Sequence, residues 1–448
     1  MDYLDNFFEL EMKYRLFDIK TDDGFYLWDI IRYDAYLQHN DIICAQKQKE
    51  KVNLLFLKKL FIAIFLFLKS FFVLFFKKTK YLIFSSNRYL DSDGRLFDKA
   101  IQNIVDELKG KSINLDNLKP LSKYKNNVYF NLLFVYRSLF FRKKSISDEI
   151  YHRLNNAFIE FYGESKLTKE DIEYIYSMFL CDYKYYSFYL KKIKPKAIFY
   201  VLNGIQKALL LAAKRNNIYT CEIQHGSVRR VNIVYSYPKG INSNSNIIFP
   251  DVFLSMGENA VIQPINMPAE IIPIGNNYYV FDSSKEKVDD SILVISTTFH
   301  SKYLIPHILE FAKDNPFVCV KYKLHPQEYF KESYYEEIFK GVSNIKILKG
   351  EEDINVLVAR SSMVVLIFST VAYEALNQGK KIAILQELDY MSMDDIFDLP
   401  NVSLFNSSES LFEIYKKNTE LLKVPYFEVF NKYKFDCFLQ MIDSKSDK

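Results

Sequence analysis

Short unbroken apolar runs alternate with helical periodicity along most of this chain. KYLIFSS at 80–86 reads as a buried strand, followed by the loop NRYLDSDG and a helical stretch over 95–108. Residues 145–194 read as tyrosine-rich helices. A strand at 196–202 (KAIFYVL), a helix over 205–215 and a strand over 218–224 make a β-α-β unit, whose strands are expected to lie parallel. IIFPDVFLSMG at 247–257 is a further strand.

The second half alternates more regularly. Strands are predicted over 291–296, 317–324, 344–348, 363–368 and 381–385, and helices over 301–313, 329–339, 353–360 and 371–377. Strands apolar on both faces and separated by helices predict a parallel sheet covered on both sides. A length of 448 residues favours two domains. The expected class is α/β, with two Rossmann-like domains facing across a cleft. An N-terminal domain is expected over 1–280, a second over 281–410, and a helical tail over 411–448 that packs back on the first. The boundary falls where 270–290 passes from a short strand into a charged, serine-containing linker.

One segment departs from this alternation. VNLLFLKKLFIAIFLFLKSFFVLFFKK at 52–78 is apolar but broken by lysines, and its longest uninterrupted apolar run, 60–68, is half of a membrane span. It fits a basic helix lying in a membrane interface, a core helix whose lysines reach solvent, or a span, in that order. The N-terminus, MDYLDNFFELEMKYRLFD, is charged throughout and unlike a secretory leader.

Charge and cysteine usage narrow the function classes. Lys and Arg number 59 against 55 Asp and Glu, a balance that argues against nucleic acid as a partner. Five cysteines, an odd number with no CxxC spacing, fit reduced thiols in the cytoplasm. No GxGxxG or P-loop pattern is present, and His300 and His307 lack partners at zinc-ligand spacing.

Three stretches sit where strands end, the edge at which doubly wound sheets bind ligands. The first is His325-Pro326. The proline holds His325 in an extended conformation, from which its imidazole can donate to a phosphate or simply cap the chain turn. The second is LIFSTVAYEALNQGKK at 366–381. Ser369 and Thr370 open a helix, where their hydroxyls can cap it or, with backbone N–H groups, receive an anion; Glu374 could accept from ribose hydroxyls. Thr297, Thr298 and Lys302 follow the first strand of the same domain and can add donors.

The third stretch, CEIQHGSVRR at 221–230, ends a strand in Gln224-His225-Gly226. Gly226 lets a ligand approach the backbone, Glu222 and His225 are a candidate acid–base pair, and Arg229 and Arg230 can meet phosphate. A solvated turn is the plain alternative.

Together these stretches resemble bacterial GT-B glycosyltransferases that build capsule and lipopolysaccharide. His325-Pro326 and Ser369-Thr370 are similar to the His-Pro and Ser-Ser/Thr motifs of sialyltransferase-like enzymes. Gln224-His225-Gly226 resembles a Gln-His-Gly motif of capsule-assembly enzymes, including Kdo transferases. Asp91-Ser92-Asp93-Gly94 loosely resembles the acidic motif that carries the sialyltransferase base, with Ser92 inserted.

The resemblance implies a metal-independent GT-B glycosyltransferase with no cofactor. Its nucleotide-sugar donor, favoured as CMP-sialic acid-like or CMP-Kdo-like, would be held by His325, Pro326, Ser369, Thr370, Glu374, Thr297 and Thr298. The acceptor, lipid-linked or an oligosaccharide of a growing surface polysaccharide, would meet Gln224, Gly226 and Arg229. Asp93, Glu222 and His225 are the candidate bases. The resemblance and the 52–78 segment place the protein at the inner surface of the cytoplasmic membrane. A UDP-sugar hexosyltransferase, a CDP-polyol phosphotransferase and a non-catalytic capsule-assembly scaffold are the alternatives.

Overall fold

The computed structural model describes residues 3–39, 68–73, 76–85, 89–90, 93–116, 128–201, 204, 206–226, 228–229, 232–241, 247–258, 261–262, 266–298, 300–350, 352–387, 390–417, 430–435, 438–440 and 442. By internal packing the chain divides into two units. The first takes Met1–Ser255, Gln263–Ile274 and Tyr433–Lys448, and the second takes Met256–Ile262 and Gly275–Lys432.

The second unit is built on six parallel strands. In chain order they are Ser291–Ile295, Cys319–Lys323, Ile345–Leu348, Met363–Leu366, Lys381–Leu385 and Val402–Phe405. Numbered so, they lie in the order 3-2-1-4-5-6, the Rossmann arrangement. Register is fixed at the centre, where Val294 stands opposite Tyr322 on one side and Val365 on the other. The runs SILVI and MVVL are buried along their whole length, because helices cover both faces. Each such valine, leucine or isoleucine contributes about 1.5–3 kcal/mol by leaving water. Helix Ser408–Lys416 packs on helix Ser301–Asp314, with Phe412 and Tyr415 edge-on to Phe311.

The first unit holds seven parallel strands: Tyr81–Ser85, Ser112–Asp116, Val128–Phe130, Ala197–Tyr200, Tyr219–Ile223, Val252–Ser255 and Glu270–Pro273. Their order, 3-2-1-4-5-6-7, is the same arrangement with one strand added. Helix Lys169–Ile193 flanks them. Thr168 caps its start by accepting from Asp171 N, Glu170 and Asp171 sit in its first turn, and Lys191 and Lys192 sit in its last, matching the helix dipole. Phe435, Phe438 and Ile442 complete the core, with Phe199 5.8 Å from Phe435 and 6.4 Å from Phe438, ring centre to ring centre.

The α/β class read from the sequence is the class observed, and each unit is Rossmann-like. The chain passes between the units at 255/256, 262/263, 274/275 and 432/433, beside the single boundary expected at 280/281. The tail expected over 411–448 is shared between them, its first helix in the second unit and the residues from 433 in the first. Of the 52–78 helix, residues 68–73 and 76 are helical and 77–78 are not, and 52–67 and 74–75 lie outside the described residues. No helix among the described residues is long and apolar enough to cross a membrane.

The first unit also contains helices that the sequence pattern did not separate, Tyr3–Lys13 and Trp28–His39. Buried charges hold them. Arg32 pairs with Glu11 at 2.5 Å and donates to the carbonyls of Ile233 (2.6 Å) and Ser236 (3.0 Å). Lys207 pairs with Asp29 at 2.9 Å, and Tyr237 OH donates to the same carboxylate at 3.0 Å. Burial pushes the Lys207 ammonium below its ordinary pKa against the pull of Asp29, and pushes the Glu11 carboxyl up against the pull of Arg32.

Candidate functional site

In the second unit the chain turns from building one side of the sheet to the other between strands Ser291–Ile295 and Met363–Leu366. A crevice at such a crossover is the usual ligand position in open α/β sheets. Thr297 and Thr298 leave the first of these strands, Ser369 and Thr370 leave the second, and His325 leaves the neighbouring strand Cys319–Lys323. Three adjacent strand tips therefore carry five of the expected donor-site residues. His300 and Phe368 link two of these tips, ring centre to ring centre at 5.2 Å.

His325 is fixed from several sides. Its extended backbone (φ −62°, ψ 142°) precedes Pro326, which starts the 3₁₀ turn Pro326–Lys331. Its Nδ1 accepts from Gln327 N at 3.2 Å and stands 3.2 Å from Thr298 Oγ1. An Nδ1 that accepts a backbone N–H leaves Nε2 as the protonated nitrogen of the neutral ring, a single directed donor. His325 N donates to Ser296 Oγ at 2.7 Å, and Ser296 Oγ donates to Glu328 Oε2 at 2.6 Å. Tyr335 OH donates to Glu328 Oε1 at 2.6 Å; burial, reinforced by that bond, pushes the Tyr335 phenol up. A capping box normally joins the N3 glutamate directly to the cap residue's N–H. Here the Ser296 hydroxyl stands between them and draws in a neighbouring strand tip.

The histidine thus caps a chain turn, as the plain reading had it, and the cap is also what leaves Nε2 as the donor. Thr297 Oγ1 is buried with no hydrogen-bond partner among the described residues. Ser301 Oγ accepts from Thr297 N at 3.0 Å and donates to Thr297 O at 2.9 Å, fixing the loop below it.

The Ser369-Thr370 tip departs from the expectation in one respect. Ser369 Oγ accepts from Val371 N (3.2 Å) and Ser369 O from Ala372 N (3.1 Å), while Thr370 O accepts from Tyr373 N (3.0 Å) and Glu374 N (3.4 Å). The first backbone N–H groups of helix Val371–Asn377 are therefore already engaged. The contribution this tip can make to an anion is its hydroxyls, and the Thr370 side chain makes no capping bond. Glu374 lies in the first turn of this helix and is almost fully buried.

In the first unit, Gln224-His225-Gly226 continues strand Tyr219–Ile223. Gln224 is buried; its N donates to Leu254 O at 3.0 Å, and its Nε2 donates to Gly226 O at 3.0 Å, closing the turn. His225 and Gly226 are half-buried, and Arg229 is buried in the short strand Val228–Arg229. Arg230 lies outside the described residues.

Glu222 is enclosed in the first unit and not open to solvent. It is fully buried and accepts from Tyr235 OH at 2.6 Å and Tyr200 OH at 3.4 Å. That bonding and burial raise both phenols well above their ordinary pKa, burial being the larger cause. Asp93 is exposed and pairs with Arg95 at 3.5 Å, beside Gly94 at φ 69°. Asp91 and Ser92 lie outside the described residues.

Sequence reasoning missed Ser296, Glu328 and Tyr335. A signal was available in part: Glu328 stands at N3 after His325, the spacing of a capping box.

No family model and no curated protein sequence matches the chain. Among solved structures it is similar to UDP-GlcNAc 2-epimerase from Methanocaldococcus jannaschii in complex with UDP-GlcNAc and UDP, at 13% identity and TM-score 0.47, covering 81% of this chain and 99% of that one. It is similar to Neisseria meningitidis UDP-GlcNAc 2-epimerase bound to UDP-GlcNAc at 13% identity and TM-score 0.46, with 82% and 100% covered. It is similar to Acinetobacter baumannii MurG at 12% identity and TM-score 0.45, with 82% and 100% covered.

Proposed function

We propose that the protein is a GT-B glycosyltransferase that moves a sugar from a nucleotide-activated donor to a growing bacterial surface glycan. One observation supports this reading above the rest: Thr297, Thr298, His325, Ser369 and Thr370 occupy three adjacent strand tips at the crossover of a Rossmann sheet. In this reading the second unit binds the donor. His325 Nε2–H and the Ser369 and Thr370 hydroxyls meet the phosphate as charge develops on its departing oxygen. Donors already fixed by Ser296, Thr298 and Gln327 stabilise that charge without rearranging. No metal is invoked for that role.

The first unit holds the acceptor. An acceptor hydroxyl gives its proton to His225 or Asp93 and bonds to the anomeric carbon, while the bond from that carbon to the phosphate oxygen breaks. Burial against two tyrosines makes Glu222 the weaker candidate. The His-Pro and Ser-Thr pairs favour a CMP-activated acidic sugar.

A thermal-shift screen against CMP, CDP, UDP and GDP, with His325→Ala alongside, tests the proposal. A site held at about 100 times its Kd stabilises the protein by roughly 2.7 kcal/mol. The expected result is a response to CMP that the variant loses. A response confined to UDP or CDP keeps the site and changes the donor class. No response to any of the four overturns the enzyme reading.

A further inference from the structure

Two segments of the first unit carry exposed aromatic side chains and meet the second half of helix Lys169–Ile193, which itself exposes Phe188. Phe76 meets its end, where Lys192 Nζ stands 5.9 Å over the ring. Lys69 Nζ stands 5.1 Å over the ring of Tyr129, in strand Val128–Phe130. Helix Leu133–Phe140 meets the same helix through Tyr136, 5.4 Å from Tyr185, and through the Arg137–Asp182 ion pair. Asn131 Nδ2 donates to Tyr186 OH at 3.1 Å between them.

Phe72, Phe76, Phe134, Leu139, Phe140 and Phe188 nevertheless face outward, Phe134 at 79% exposure and Phe76 at 74%. Scattered exposed apolar residues are ordinary, but phenylalanines gathered along one helix are not.

The charge around them is one-sided. Residues 68–80, 132–144 and 183–196 together hold thirteen Lys and Arg and no Asp or Glu, in a chain whose totals are 59 and 55. Among the described residues, acids from elsewhere meet at least three of these groups: Asp182 meets Arg137, Glu173 meets Lys143 at 3.4 Å, and Asp23 meets Lys144 at 3.2 Å. The face remains positive.

We propose that this face docks on a bilayer surface rich in anionic lipid, with the phenylalanines in the headgroup boundary and the lysines on lipid phosphates. Lysine excess decides between a lipid and a protein partner, because protein interfaces are depleted in lysine. The proposal adds helix Leu133–Phe140 and the end of helix Lys169–Ile193 to the membrane reading of 52–78. It does not depend on the donor site.

The test is sedimentation with vesicles of phosphatidylcholine alone or mixed with phosphatidylglycerol. The variants are Phe134→Ser/Leu139→Ser/Phe140→Ser and Lys191→Gln/Lys192→Gln, with thermal unfolding of each. The full chain should bind the mixed vesicles, bind the neutral ones little, and release in high salt. Binding should weaken about fivefold per lysine removed. The triple variant should bind poorly while unfolding at or above the parent's temperature.

Equal binding to both vesicles, or a triple variant that binds as well as the parent, overturns the proposal. So does a triple variant that unfolds early, since the face would then be covered in the folded chain. Loss of a dimer on the triple substitution, without vesicle binding by the parent, assigns the face to a second copy and also overturns it.

Discussion

Glu328 Oε2 accepts from Ser296 Oγ at 2.6 Å, a contact between residues 32 positions apart that holds two strand tips together. Through the Ser296 hydroxyl the same carboxylate fixes the backbone N–H of His325. Glu328→Ala leaves two buried hydroxyls without an acceptor. It should cost about 1–3 kcal/mol in denaturant unfolding of the second unit. Glu328→Gln keeps one acceptor and should cost less. Both should weaken nucleotide stabilisation in the same order, and a weakened response with unchanged unfolding would assign Glu328 a role in the site alone.

The Glu11–Arg32 pair gives a second prediction. Arg32→Met strands a buried carboxylate and should destabilise the first unit by about 3–5 kcal/mol. Combining it with Glu11→Leu should restore much of that loss, because the desolvated charge is then gone. Thermal unfolding of parent, single and double variants measures the coupling.

Gly275 sits at φ 72°, and a Cβ there would overlap the backbone carbonyl oxygens of Asn431 and Lys432. Asn276 N also donates to Asn431 O at 2.8 Å, so the two strands of chain cannot separate freely. Gly275→Ala should cost more than the roughly 1–2 kcal/mol of a left-handed alanine alone. The comparison is Gly341→Ala, where φ is 84° but nothing stands in the way of the methyl group.

Asp289 supplies the pH prediction. Burial tends to raise its carboxyl pKa, but the bonds from Lys321 (2.7 Å) and Ser291 outweigh this and hold it below the usual carboxylate value. A depressed folded-state pKa gives stability that is present above the unfolded value, about 3.9, and is lost as pH falls through the folded one. Asp289→Asn should therefore destabilise at pH 7 by about 0.5–1 kcal/mol, a range discounted because the carboxylate is half exposed. The gap between variant and parent should close under acid, as read by urea unfolding at a series of pH values.

Legibility in the sequence followed burial. SILVI and MVVL announce themselves because both faces are covered and every position is apolar. SINLD at Ser112–Asp116 does not, since its buried Asn114 takes a hydrogen bond from Ser85 Oγ and so satisfies a polar core position. Val128–Phe130 and Val402–Phe405 are too short to carry a period. His325 was legible through Pro326, a local restriction on the backbone. Glu328 was legible only in part, through its N3 spacing after His325, and Ser296 was not, because a serine at the tip of the preceding strand acquires its role only on folding. Glu222 was read as a base because a one-dimensional pattern does not show that Tyr200 and Tyr235 face it.

Phe435, Phe438 and Ile442 belong to the core of the first unit, although the whole of Gly275–Lys432 intervenes. On a translating ribosome the second unit has all of its chain while the first still lacks these side chains. The apolar sites that receive them, around Phe199 and Ile104, stay open until residues 435–442 have been synthesised. The nascent first unit is therefore an incomplete hydrophobic body throughout the synthesis of Gly275–Lys432, a natural client for a holding chaperone. A stop codon anywhere before Tyr433 would make that condition permanent.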